Sequence, residues 1–278
     1  MRPRRPPAVT GFPMHPIINI AVKAARRAGN VIMRHLDRVD RLTVENKGRN
    51  DFVSEVDRQA EAEIIAVLRA AYPDHGYLAE ESGAQPGNDY RWIIDPLDGT
   101  TNFLHGYPQF GVSIALEHKG RLEHAVVFDP HKNELFTASR GGGAQLNDRR
   151  IRVSAVTDLE YALLGTGFPF REQEHLETWI DTLRTLLPIC SGVRRAGSAA
   201  LDLAHVAAGR FDGFWEFGLS PWDMAAGCLL IEEAGGLVSD LGGGKNYLQN
   251  GNILAANPKI FVQMHERLRA VLPAALTS

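Results

Sequence analysis

The chain has 278 residues, 44% of them apolar and 23% charged, with a formal net charge of -3. That length and composition can close a sizeable core, as one large domain or two smaller ones. The charge balance argues against a nucleic-acid or acidic-lipid surface. No apolar run approaches the roughly 18 residues of a membrane span. Two cysteines, Cys190 and Cys228, exclude a disulfide framework and a multi-cysteine zinc site; their apolar surroundings predict buried packing, and a reducing cytoplasm fits.

The N-terminal stretch MRPRRPPAVTGFP is basic and proline-rich and lacks the apolar core of a signal peptide. It predicts a disordered tail over 1–13, or a natural start at Met14. From Pro16 to about Leu36, Ile17, Ile20, Ala21, Ala24, Ala28, Val31 and Ile32 recur at helical spacing. ENKGRNDF (45–52) predicts a polar loop. A second helix follows from about Glu55 to Ala71, and Ser54 with Asp57 forms an S-x-x-D capping box at its start.

RWIID, FGVSIALEH, LEHAVVFDP and NELFTASR then read as short strands in an antiparallel meander, continued past a glycine-rich turn by GGGAQLNDRRIRVS. After about Val156 strands and helices alternate. YALLGTGF, GVRRAG, FDGFWEFG, LVSD and NILAAN read as strands. Helices are predicted over 173–187, Ser198–Ala208, Ser220–Ala234 and, last, 258–272. The pattern places an α+β part over 14–155 and an α/β part over 156–278.

Acids stand where strands end or helices begin, positions that hold a side chain rigidly at the rim of a core. Glu80 and Glu81 lie in YLAEESG, Asp95 and Asp98 in WIIDPLDGTTNF, and Asp223 in SPWDMAAG. Taken singly, each has an ordinary explanation. Asp98-Gly99 is a common turn pair. Ser220-Pro-Trp-Asp223 is a plain helix start. Glu80-Glu81 reads as a solvated pair, and Asp57 as a capping residue. The whole string DPLDGTTN directly after an apolar strand is far more specific than a turn. Carboxylates without a histidine partner point to Mg²⁺ rather than zinc. If Asp98 caps a short helix, the amides of Gly99, Thr100 and Thr101 point outward and can hold phosphate. Together these describe a phosphoryl-transfer site.

Other chemistries fail. There is no G-x-S-x-G elbow, and GGGKN (242–246) lacks the order of a phosphate loop and reads as an ordinary loop. Arg194-Arg195 reads as a surface pair or a contact for an anion.

WIIDPLDGTTNF and PWDMAAGCLLIEEAGG resemble the two signatures of the inositol monophosphatase family. AEESG, NKGRNDFVSEVD and GSAALDLAHVAAGRFDGFWE match it as well, and the likeness runs from Met14 to the end. It is strongest to the bacterial, SuhB-type branch. The resemblance implies a layered α-β-α-β-α sandwich, a homodimer, and Mg²⁺-dependent, lithium-sensitive hydrolysis of inositol 1-phosphate by activated water. By motif, Glu80, Asp95 and the Leu97 carbonyl would hold one Mg²⁺. Asp95, Asp98 and Asp223 would hold a second, and a weaker third ion would sit near Glu80. Thr100 would help Glu80 orient the attacking water. The Gly99 and Thr100 amides, beside Asp98, would bind phosphate; Ala199 and Glu216 would face the inositol ring. Lys47 and Asp57 match positions near the site.

Two alternatives stand beside this reading. The substrate could be another small ester, such as fructose 1,6-bisphosphate, a phosphoadenosine nucleotide, histidinol phosphate or NADP. Glu216 favours a polyol, because a carboxylate accepts from adjacent hydroxyls and repels a second phosphate. The other alternative is a non-catalytic protein contact with the transcription machinery, which the resemblance to the bacterial branch implies.

Overall fold

The computed structural model describes residues 15–41, 44–48, 51–169 and 175–277; the side chains of 37, 40, 41, 44–48, 51–53 and 277 also lie outside the description, as do the tail and start considered for 1–14. Helix α1 (Pro16–His35) forms where predicted and buries one stripe, Ile18, Ala21, Ala25, Ala28 and Ile32 among it. Strands β1 (Val44–Gly48) and β2 (Asp51–Ser54) pair antiparallel. This corrects the loop expected over 45–52. A two-stranded ribbon satisfies its backbone by pairing and needs no apolar alternation to announce it.

Helix α2 (Glu55–Ala71) starts at the predicted capping box. The Val56 N–H donates to Ser54 Oγ at 3.1 Å, while Ser54 N–H and Oγ–H both donate to Asp57 Oδ2, at 2.9 and 2.6 Å. Ser54 and Asp57 are buried. Ser54→Ala should therefore lower stability by about 1–2 kcal/mol, read as a lower urea midpoint at unchanged slope.

Next come β3 (Gly76–Ala79), β4 (Gly83–Gln85), β5 (Tyr90–Asp98), the short helix α3 (Thr100–Leu104), β6 (Gly111–His118), β7 (Arg121–Asp129), β8 (Glu134–Ser139), β9 (Gly143–Leu146) and β10 (Arg149–Arg150). They make an eight-stranded sheet of order β10-β9-β8-β7-β6-β5-β3-β4. The meander from β5 to β9 is antiparallel as predicted, whereas β3 joins β5 in parallel.

The remaining elements are β11 (Leu163–Thr166), α4 (Leu176–Leu186), β12 (Gly192–Arg194), α5 (Ala199–Ala207), β13 (Gly213–Glu216), α6 (Pro221–Glu233), β14 (Leu237–Ser239), α7 (Tyr247–Asn250), β15 (Ile253–Ala256), α8 (Pro258–Arg269) and α9 (Ala274–Thr277). Five strands form a second sheet, β12-β11-β13-β15-β14, parallel through β13 and antiparallel after it. The last helix, expected over 258–272, stops at Arg269. A separate turn of helix follows Pro273, which has no N–H to continue the ladder.

Strand alternation sorts the core into layers. Trp92 and Ile94 face α1 and α2, while Ile93 and Ala115 face α5 and α6. In the second sheet Phe214, Ile253 and Ala255 face the same α5–α6 layer; Trp215, Leu254 and Ala256 face α4 and α8. Helix α6 lies between two sheets and is buried continuously from Asp223 to Ile231, which explains its lack of a polar face. The result is the α-β-α-β-α sandwich. Among the described residues no helix is long and apolar enough to cross a membrane.

Candidate active site

The acids gather where β5 runs out. Its pairing with β6 goes from Asp95↔Ser113 to Asp98↔Gly111, so one extra residue sits on β5. Such a bulge re-aims the side chains around it. Pro96, with no N–H, falls inside. Asp95 is buried and accepts the Leu97 N–H at 2.9 Å.

Asp98 turns to another element. Its Oδ2 accepts Ser198 Oγ–H at 2.6 Å and the Ala200 N–H at 2.7 Å, so it serves the start of α5. This corrects the expectation that Asp98 caps the helix after β5. Gly99 occupies the cap position of α3, at φ 92°, without a side-chain cap. A Cβ there would lie 2.8 Å from the Gln109 carbonyl oxygen and 3.2 Å from that of Gly197. Only glycine fits that backbone and that gap.

Asp223 does two things. Its Oδ2 accepts the Ser220 N–H at 2.7 Å, as the helix-start reading expects. It also meets Asp95 and Asp98: one carboxylate oxygen from each lies within 4.8 Å of the others. Glu80 follows β3, with its N–H on the Ile94 carbonyl at 3.1 Å. The turn around it is pinned by buried Glu61 of α2, which accepts the Glu81 N–H at 2.8 Å and the Ser82 N–H at 2.9 Å. Burial, and then the charges of Glu80, Asp98 and Asp223, push the Asp95 carboxyl well above the usual range. Oxygen donors that repel one another at this spacing fit a hard divalent cation.

Thr100 is anchored from behind. Its Oγ1 lies 2.8 Å from Asp57 Oδ1 and 3.0 Å from the Leu97 carbonyl oxygen, both acceptors. The capping carboxylate of α2 thus uses its second oxygen to hold a site residue. Burial raises the Asp57 pKa against the bonds from Ser54 and Thr100.

A cleft of about 480 Å³ brings together Glu80, Asp95, Leu97, Asp98, Gly99, Thr100, Ala199, Glu216 and Asp223. Asp57 stands behind it, and the Lys47 side chain lies outside the described residues. Glu216, at the end of β13, is buried, and burial with the nearby Asp202 charge raises its pKa strongly. A Cβ at Gly167 would overlap the Glu216 carboxylate, so glycine makes room for it.

Arg195, expected as part of a surface pair or as an anion contact, is exposed and lines the cleft with its guanidinium 4.6 Å from the centre of the Phe168 ring. One cleft residue escaped the sequence reading. Asp202 was not singled out, although an acid inside the apolar run AALDLAHVA is itself a signal. GGGKN is a loop, as expected. The amides of Gly242, Gly244 and Asn246 close on their own Asp240. Cys228 is buried as expected, but Cys190 only half so.

A sequence model of the inositol monophosphatase family matches residues 13–274. The chain is 55% identical over 269 residues to the Nus factor SuhB of Pseudomonas aeruginosa, across 95% of this chain and 99% of that one. The crystal structure of extragenic suppressor protein SuhB from Bartonella henselae superposes with a TM-score of 0.90 at 47% identity, covering 93% of this chain and 100% of that one. That of the inositol monophosphatase from Anabaena (Nostoc) gives 0.83 at 42% identity, covering 92% and 96%. The likeness runs through both acid-bearing stretches and nearly the whole length, and the chain belongs to the inositol monophosphatase family.

Proposed function

We propose that the protein is a Mg²⁺-dependent, lithium-sensitive phosphatase that hydrolyses inositol 1-phosphate to inositol and phosphate, as a homodimer in the cytoplasm. The observation that carries this reading is the convergence of Asp95, Asp98 and Asp223 within 4.8 Å. They lie in a cleft whose volume of about 480 Å³ suits a small ligand.

Glu80, Asp95 and the Leu97 carbonyl would hold one ion, and Asp95, Asp98 and Asp223 a second, with a weaker third near Glu80. When bound, Mg²⁺ supplies positive charge that activates water and neutralises phosphate oxygens. The chain's own groups do the positioning. The Thr100 hydroxyl proton is committed to Asp57 or Leu97. Its oxygen lone pairs are then left to accept from a water that Glu80 also orients. The Gly99 and Thr100 amides meet the phosphate. Ala199 gives the sugar-like ring a small surface, and Glu216 accepts its hydroxyls. Asp57 acts through Thr100, and Lys47 completes the near-site set.

The test is phosphate release from inositol 1-phosphate while Mg²⁺ is titrated. Chelation should abolish turnover with the far-ultraviolet circular dichroism unchanged, and Mg²⁺ should restore it. No turnover of this ester beside rapid turnover of another would keep the site and change the substrate. A second reading, a protein contact with the transcription machinery, is favoured by the relative named a Nus factor. Retention of transcription complexes by immobilised Asp95→Asn protein would separate that role from hydrolysis.

A further inference from the structure

Asp202 is the one acid of α5, and every other residue of that helix except His205 is apolar. It is 1% exposed and lines the cleft. Its N–H donates to the Ser198 carbonyl at 3.0 Å, an ordinary helical bond. Its side-chain Oδ1 is buried and has no hydrogen-bond partner among the described residues. A carboxylate oxygen taken out of water without a donor destabilises a fold, and a leucine would serve the sandwich better. Packing therefore does not account for Asp202.

Its surroundings narrow the ligand. Glu216 of β13 lines the same cleft and is buried too, and the two carboxylates feel each other's charge. Burial, and then the negative charge of Asp98, push the Asp202 carboxyl well above its usual range, and Arg195 offsets part of this. A second phosphate or a carboxylate would be repelled here. A group that carries donors without charge, a hydroxyl, is accepted.

We propose that Asp202 is a specificity-determining residue which, with Glu216, recognises neighbouring hydroxyl groups of a polyol phosphate, its carboxyl group turning to accept from one of them. The inference rests on the phosphatase reading for its substrate but not for its binding chemistry. Two carboxylates from different elements select a substrate with adjacent hydroxyls over an ester that has none, and over a bisphosphate.

Two measurements on the full chain test this. The affinity for myo-inositol is read by calorimetry or by ligand-observed nuclear magnetic resonance, with no turnover required. The ratio of kcat/KM for inositol 1-phosphate to that for phenyl phosphate is read with Mg²⁺ present. Asp202→Ala and the isosteric Asp202→Asn should each weaken inositol binding by about tenfold or more, and lower the kcat/KM ratio by about ten- to a hundredfold. The Asp202→Asn protein should melt at or above the parent temperature, because a buried charge is gone; a residue kept for structure would melt lower. Unchanged inositol affinity with an unchanged ratio in both variants overturns the proposal. A parent protein that cleaves phenyl phosphate but neither binds inositol nor cleaves its phosphate also overturns it, while a phosphatase activity survives. Inositol binding that depends on Asp202, without any phosphate release, sustains it and overturns the phosphatase reading instead.

Discussion

Asp95→Asn should lower Mg²⁺-dependent turnover by about a thousandfold and, in ion-free protein, raise the melting temperature. Both effects have one cause. Asp95 is buried and faces Glu80, Asp98 and Asp223, so its carboxyl sits well above the usual 3.8. It holds a proton more tightly folded than unfolded. In ion-free protein its contribution is therefore most favourable below pH 3.8 and is lost as pH rises towards its raised value. Asparagine removes that charge and keeps an oxygen that can accept the Leu97 N–H. Each kcal/mol recovered is worth roughly 2–4 °C in domains of 150–250 residues. Bound Mg²⁺ should stabilise the parent above pH 5 and leave the variant nearly unmoved. Calorimetric scans from pH 5 to 8, with and without Mg²⁺, measure this. Near-normal turnover in Asp95→Asn would remove Asp95 from the ion site. A large fall in ion-free stability would make Asp95 a structural anchor.

Gly99→Ala should lower kcat/KM by about a hundredfold, the scale of an ångström of misplacement, and stability by about 1–3 kcal/mol. The added methyl meets backbone oxygens of Gln109 and Gly197, which cannot rotate aside, at a φ of 92° that alanine resists. Asn102 ties that wall together: its Nδ2 donates to the Gln109 carbonyl at 2.7 Å and to that of Ala196 at 2.9 Å. The turn carrying the Gly99 and Thr100 amides must shift instead. Mg²⁺ affinity should fall much less than turnover, because Asp95 and Asp223 come from other positions. Full activity and parent-like urea unfolding would show that the amides need no such exact placement.

The helices and their starts were legible because their signals are local. Ser54 and Asp57 stand three residues apart, as do Ser220 and Asp223, and each pair closes the box that its spacing predicts. The meander was legible in strand alternation, and the metal-ligand candidates in the string around Asp95 and Asp98. The second use of each polar group was not. Asp98 reaches Ser198, 100 residues on, and Asp57 reaches Thr100, 43 residues on. Nor was the parallel seating of β3 against β5, or the polar ribbon of β1 and β2. Asp202 had a sequence signal, an acid in an apolar helix, but its place beside Glu216 depends on α5 lying between two sheets. The sequence by itself determined the long helices, the strands of the meander and which acids stand at their ends, since those choices are settled within a turn or a strand. Only the tertiary structure decided which ends meet, because layer packing, not local spacing, brings Asp95, Asp98 and Asp223 within 4.8 Å of one another.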